Sequence, residues 1–307
     1  MLRSFREVLQ IDPGLEPQGV LTGYVAIPPS RYPDDVTITR FSEDLLEKVR
    51  AVPGVQSASI TTQLPFSGNS SNSVILPEGY VPPEGESVLS PSQNWVASDY
   101  FETMGIPLLQ GRTFDTRDND PEGQQVIIID EWLAERYFPG ESPLGKRMLF
   151  GTIPGMEEDE TPYLYTIVGV VGSHRQNNLV ESEYVGSYWF PLQEGPQYFM
   201  TVVTKTSGDP LTLTEPMRQA VTELDPEVPF FNARTLQDRI DESLMDRRAP
   251  MLLLAIFAVV ALFLAGVGIY GALAYSVSQR TRELGVRIAM GSSAGDVFKL
   301  VVGQGGK

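Results

Sequence analysis

Apolar and polar positions alternate weakly along VLTGYVAIP at 20–28, which predicts a strand. The period then changes. In TRFSEDLLEKVRAV at 39–52, Phe41, Leu45, Leu46, Val49 and Val52 fall at helical spacing, Pro53-Gly54 supplies a stop, and QSASITT predicts a second strand. The same strand–helix–strand order returns near the end of the hydrophilic part, as YFMTVVTK at 198–205, LTEPMRQAVTEL at 213–224 and VPFFNA at 228–233. Two separated β-α-β units predict an α+β fold in which they join as one split ferredoxin-like layer, helices on one face of an antiparallel sheet. The intervening residues, 63–195, then form an inserted, mainly-β subdomain. Gly, Pro, Ser and Asn dominate its first part at 65–92, short β-branched runs QVIIID and YTIVGVVG follow, and one helix is expected near Glu131 to Arg136.

Beyond the second unit, TLQDRIDESL predicts a helix start: Thr235 and Asp238 approximate a capping box, and Leu236, Ile240 and Leu244 share one face. Pro250 marks a boundary or kink. No charge then occurs between Arg248 and Arg280. At a rise of 1.5 Å per residue, Met251 to Tyr275 extends roughly 37 Å, enough for a transmembrane helix. A globular helix of that length would carry polar residues on one side, and this one has no such side. Gly266, Gly268 and Gly271 are candidates for close helix–helix packing within it. Arginine counts do not orient the span, with Arg234, Arg239, Arg247 and Arg248 before it and Arg280, Arg282 and Arg287 after it.

Charge is uneven along the 307 residues. Up to Ala249, 18 basic residues face 37 acidic ones; from Pro250 onward, 5 face 2. The acidic part disfavours nucleic acid and anionic lipid as ligands, and the basic end suits a cytoplasmic membrane face. Without cysteine, disulfides, thiolate metal sites and cysteine nucleophiles are excluded.

Candidate chemistry is thin. GESPLGKR at 140–147 has the spacing of a phosphate loop, but Arg147 stands where Ser or Thr would hold magnesium, and a strand follows rather than a helix; a turn entering a strand is the better reading. DTRDNDPEG at 115–123 lacks the glycine and terminal glutamate of a calcium loop and reads, like EEDE at 157–160, as a solvated acidic turn. The single histidine, His174, has no glycine-flanked serine elbow and reads as a polar loop residue. No catalytic, cofactor-binding or metal-ligating residue is therefore assigned, and the chain is not expected to be an enzyme.

YSVSQRTRELGVRIAMGSSAGDVFKLVVGQG at 275–305 closely resembles the segment after the second membrane helix in permeases of the MacB/FtsX superfamily. Arg280, Thr281, Glu283, Gly285, Arg287, Ala289, Gly291 and Asp296 sit in its pattern, and Ser292 departs mildly from the usual Ala. VASDYFETMGIPLLQGRTF at 96–114 and IVGVVG at 167–172 resemble elements of the same family's periplasmic core domain. MLRSFREVLQIDPG resembles the exit from a preceding membrane helix, so the chain is expected to be a fragment of a longer permease.

The resemblance implies a porter-like β/α subdomain joined to a mostly-β insert, outside an inner membrane, in a permease that pairs with itself or another permease and couples to an ABC-type ATPase. The expected organisation is 1–18 following a membrane helix, 19–62 with 196–233 as the porter-like subdomain, 63–195 as the insert, 234–250 as a stalk helix, 251–275 as the span and 276–307 as a cytoplasmic amphipathic segment. Residues 1–249 would be periplasmic or extracellular. Arg280, Arg282, Glu283, Leu284, Gly285, Arg287 and Ile288 are the implied ATPase-coupling candidates. The substrate is left open. The alternative is a single-pass receptor or ligand-binding module; a membrane-anchored hydrolase is third.

Overall fold

The structure is a computed structural model. It describes residues 12–83, 85, 87–119, 123–151, 163–176, 184–279 and 290, with the side chains of 244–252, 255, 273, 276 and 277 left aside. The chain divides into two units, Met1–Leu244 and Met245–Lys307.

In the first unit, β1 (Val20–Ala26) leads to α1 (Asp35–Arg50) and back to β2 (Ser57–Thr61). α1 begins four residues before the apolar period does. The reason is the cap: Asp34 accepts a hydrogen bond from the Thr37 amide at 2.8 Å, while Val36 in the first turn is 77% exposed and leaves no burial signal. From Ile38 onward one face is buried through Phe41, Leu45, Leu46 and Val49, each contributing about 1.5–3 kcal/mol.

The strands β3 (Ile75–Pro77), β4 (Ser92–Val96), β5 (Leu108–Gly111), β6 (Val126–Asp130), β7 (Arg147–Phe150), β8 (Tyr163–Val171) and β9 (Ser187–Pro191) follow, with two short helices, α2 (Tyr100–Met104) and α3 (Glu131–Tyr137). β10 (Phe199–Lys205), α4 (Thr214–Leu224) and β11 (Phe230–Thr235) complete the unit, and α5 (Leu236–Gln279) starts directly after β11.

One sheet runs β11-β1-β10-β2-β4-β9-β6-β8-β7-β3, with β5 on β8. Its first four strands are antiparallel neighbours, as in Val20↔Lys205 and Thr201↔Thr61. The link onward is a single pair, Thr61↔Val96, and the insert strands mix parallel and antiparallel pairs. The fold is thus mixed α+β and rich in sheet. α1 and α4 pack on one face of the first four strands, over Leu21, Val25, Ile60 and Val202. The other face and the insert share a second core around Tyr100, Phe101, Met104 and Trp189, which also takes in Leu236 and Ile240 of α5. A third lies under Ile127, Ile129, Tyr188 and Phe190. β6 is buried at every position, so its sequence reads as a continuous apolar run instead of alternating.

The second unit holds the remainder of α5, which runs through Pro250 as one helix. Leu262, Phe263 and Leu264 are consecutive, 100° apart around the axis, yet 74%, 69% and 62% exposed. Among the described residues no helix is long and apolar enough to cross a membrane. The longest unbroken run of described side chains there, 256–272, has 17 residues, and the expected span Met251–Tyr275 extends beyond it at both ends.

Candidate functional site

The start of α5 is held by several hydrogen bonds to the first unit. Its capping box is reciprocal: the Asp238 amide donates to Thr235 Oγ1 at 3.0 Å, and the Thr235 amide donates to Asp238 Oδ2 at 3.3 Å. Leu236 and Ile240 are buried at 0% and 4% exposure. Between them on the same face sits Arg239, itself 4% exposed. Its Nε donates to Thr22 Oγ1 at 2.7 Å, Nη1 to Tyr24 Oη at 2.9 Å and Nη2 to the Asn232 carbonyl at 2.9 Å. The guanidinium also lies 4.7 Å from the centre of the Tyr24 ring. Burial pushes its pKa down. Because these hydrogen-bonding partners are neutral oxygens on β1 and β11, the arginine's cost of desolvation is met only in this one geometry. It therefore fixes the helix start against the sheet.

The incoming segment 12–19 is tied to the same region. The Glu16 amide donates to the Met104 carbonyl at 2.8 Å, the Arg175 amide donates to the Pro13 carbonyl at 2.8 Å, and Lys205 pairs with Glu16 at 2.9 Å. Gly14 has φ +77°, and a Cβ there would lie 2.3 Å from the Ser173 carbonyl oxygen. Only glycine fits. A cavity of about 710 Å³ lies between this segment and the first turns of α5, lined by Asp12, Leu15, Glu131, Gln237 and Asp241 among others. It is acidic and open, with no nucleophile–base pair in its lining.

His174 corrects the sequence reading. Expected as a polar loop residue, it is 2% exposed, with its ring stacked on Trp189 at 5.5 Å between centroids and Nε2 lying 3.2 Å from Gln176 Oε1. Burial pushes its pKa down to about 4, so it is neutral at pH 7. The adjacent Ser173 donates instead to Asp130 Oδ2 at 3.2 Å. Asp130 is fully buried, caps α3 through the Leu133 amide at 2.9 Å and accepts from the Tyr184 hydroxyl. Burial raises its pKa to about 6. The serine, histidine and aspartate are thus neighbours in space without forming a catalytic relay.

The acidic loop is a second correction. Asp118 is not solvated: it is 8% exposed, gripped by Arg112 through two bonds of 2.6 and 2.8 Å and by the Asp115 amide at 2.8 Å. Arg117 binds Asp115 in turn and holds its carboxyl well below the usual carboxylate range. These carboxylates serve arginines. The EEDE run lies outside the described residues. In the phosphate-loop look-alike, Gly140 and Gly145 both have positive φ and β7 begins at Arg147, a turn entering a strand.

The coupling candidates Arg280, Arg282, Glu283, Leu284, Gly285, Arg287 and Ile288 also lie outside the described residues. Gly266, Gly268 and Gly271 lie on α5 with nothing within 4 Å of where a Cβ would stand. Sequence reasoning counted Arg239 only as a flanking charge. The signal for its role was there: a lone arginine inside the Leu236–Ile240 stripe. The motif at 96–114 turns out to be packing, since Tyr100, Phe101 and Met104 are buried at 0–2% exposure.

Comparison with known proteins places this geometry in context. The family model described as MacB-like periplasmic core domain matches residues 8–220, and that described as FtsX-like permease C-terminal matches 255–306. The chain is 27% identical over 258 residues to a probable syringafactin export ATP-binding/permease protein of Pseudomonas syringae pv. tomato, covering 79% of the chain and 37% of that protein. It is 28% identical over 226 residues to a macrolide export ATP-binding/permease protein, MacB 2, of Yersinia pestis bv. Antiqua, covering 70% and 31%. The chain thus spans about a third of the length of these curated relatives. The crystal structure of the periplasmic region of MacB from Actinobacillus actinomycetemcomitans aligns with a TM-score of 0.48 at 17% identity, over 78% of this chain and 98% of that one.

Proposed function

Because the chain belongs to the MacB-like periplasmic core domain family and carries an FtsX-like permease segment after that domain, we propose that it serves as a non-catalytic permease component of an ABC-type export or mechanotransmission system. One observation carries this reading. The helix α5 starts inside the core of the first unit, at Leu236, and is continuous as far as Gln279, within the stretch matched as FtsX-like.

In this reading Met251 to Tyr275 crosses the inner membrane. The support is physical: the run is uncharged, and its described large side chains are exposed around the whole helix, a surface that water disfavours and lipid does not. Residues 1–249 lie outside and 276–307 in the cytoplasm, where Arg280, Arg282, Glu283, Leu284, Gly285, Arg287 and Ile288 meet an ATPase subunit. Gly266, Gly268 and Gly271 pack against a neighbouring membrane helix, of the same permease or a paired one. Residues 19–62 with 196–233 form the porter-like layer and 63–195 the insert. The strand order β11-β1-β10-β2 supports that division, since it is the last–first–third–second order of a βαββαβ layer. Residues 1–18 enter from a preceding membrane helix, and 234–250 act as the stalk.

Movement imposed on the cytoplasmic segment reaches the outer unit at the Arg239 anchor, where β1, β11 and the helix start are bonded together. The test uses the intact permease with its ATPase. Glu283→Ala with Gly285→Leu, and separately Arg239→Leu, are expected to leave basal ATP hydrolysis in place and abolish its stimulation by transported substrate. Stimulation equal to wild type in all variants overturns the proposal.

A further inference from the structure

The loop 172–176 holds several parts of the first unit at once. The Arg175 amide donates to the Pro13 carbonyl at 2.8 Å, and the Phe66 amide donates to the Gln176 carbonyl at 2.8 Å. Gly14 is seated directly on the loop: a Cβ there would lie 2.3 Å from the Ser173 carbonyl oxygen and 2.7 Å from His174 Cα. Segment 12–14 therefore keeps its place only while the backbone of this loop keeps its own.

At the centre of the loop stands the only histidine of the chain. The buried His174 ring lies on Trp189 with 30° between the planes. Nε2 faces Gln176 Oε1 at 3.2 Å, which makes it the protonated nitrogen of the neutral ring, while Nδ1 is buried with no partner among the described residues. This arrangement tolerates one proton only. A second would turn Nδ1 into a donor facing no acceptor and put a charge against an apolar ring, and both costs vanish if the loop opens to water. Water is close, because a cavity of about 300 Å³ is lined by Asp12, Pro13, His174 and Arg175 among others. The charges around the loop do not offset that second proton. Among the described residues they are Asp12 and Glu16 on the incoming segment, Glu131 on α3, Asp241 on α5, Arg175 on the loop itself and the buried Asp130, with the titratable Tyr184 before β9. Asp130 is taken up by the Leu133 amide and the hydroxyls of Ser173 and Tyr184, and Glu16 pairs with Lys205. Desolvation thus holds the imidazole at about 4, against the opposing pull of Gln176.

We propose that His174 is an acid-released latch: the neutral ring keeps segment 12–14 in its seat, and protonation opens loop 172–176 and frees that segment while the rest of the first unit stays folded. The inference stands apart from the coupling reading, because it concerns the first unit alone and is measured without an ATPase.

The test follows hydrogen exchange of the full chain in lipid nanodiscs at pH 7 and pH 5, with rates corrected for the intrinsic effect of pH. For a group that titrates at about 4 when seated and near 6.5 when open, protection of peptides covering 12–16 and 173–176 should fall by roughly tenfold or more. Protection of β6 should stay as it was. His174→Phe keeps a ring against Trp189 without the proton and should protect segment 12–16 equally at both pH values; His174→Gln takes its place if that variant does not fold. A ¹³C label on the single histidine gives a second readout in wild type, where the imidazole should titrate well below its ordinary 6.5. Unchanged protection of 12–16 in wild type, an equal loss throughout the first unit, the same pH response in the folded variant, or titration at the ordinary value each overturns the proposal.

Discussion

Helix α5 carries two apolar patterns whose environments differ completely. In its first turns Leu236 and Ile240 recur every fourth residue and are buried, with the charged and polar residues Gln237, Asp238 and Asp241 on the other faces. Further along, Leu262, Phe263 and Leu264 are consecutive and mostly exposed. The two stretches differ in mean apolarity and also in angular spread. A stripe names one partner, the protein's own core; an apolar surface all around the axis requires an apolar surrounding on every side. The anchor differs too. The first stretch is fixed by a buried arginine and a capping box, whereas a Cβ added at Gly266, Gly268 or Gly271 of the second would meet nothing within 4 Å.

The sharpest way to break this contrast is to place charge in each stretch. Leu236→Asp buries a carboxylate in the core and should destabilise the first unit by about 4 kcal/mol or more, measured by urea unfolding of the tryptophan signal, without changing membrane retention. Leu262→Arg should do the reverse. It costs about 3 kcal/mol for insertion and should release the chain from membranes in alkaline extraction, while the urea midpoint of the first unit stays where it was. If both variants fail in both assays, the two stretches are not energetically distinct.

A smaller effect comes from pH, because the buried groups with large shifts belong to the first unit. His174 binds its proton more weakly folded, about 4 against 6.5, so its stabilising contribution is lost as pH falls. Between pH 7 and 5 that loss is about 2 kcal/mol. Asp130 runs the other way: its folded pKa of about 6 exceeds the unfolded value, so stability rises as pH falls through 6, by about 1 kcal/mol over the same interval. In wild type the two groups should therefore nearly offset each other on going to pH 5, leaving a small net loss, whereas His174→Leu should gain about 1 kcal/mol. Urea midpoints at the two pH values check the sign. Equal pH responses in the two proteins would mean that His174 is not held neutral.

Much of the first unit was legible because its patterns are local. The apolar residues 41–52 announce α1, and Thr235 with Asp238 announces the start of α5; both depend on neighbours within a turn or two. The first turn of α1 was missed because it is held by the Asp34 carboxylate, which accepts from the Thr37 amide, while Val36 faces water and leaves no apolar signal. His174 was misjudged because its burial comes from another strand, Trp189 stacking on it, and Asp118 because the loop folds back onto Arg112 six residues before it, a pairing that helical or strand periodicity does not signal. A cleft beside Thr61 left no trace in any contiguous stretch, its walls coming from residues 62–71, Trp95 and 197–199.

By itself, the sequence determined the order of elements, the uncharged run after Arg248 and the resemblance of the residues beyond it to a permease, because each is written in adjacent residues. Only the tertiary structure decided that Arg239 is an anchor rather than a flanking charge, and that uncharged polar groups meet beside Thr61. Both depend on strands more than a hundred residues apart in the chain being brought edge to edge, as β1 and β11 are at Thr22↔Arg234. A hydrogen bond depends on distance in space, and spacing along the chain does not encode it.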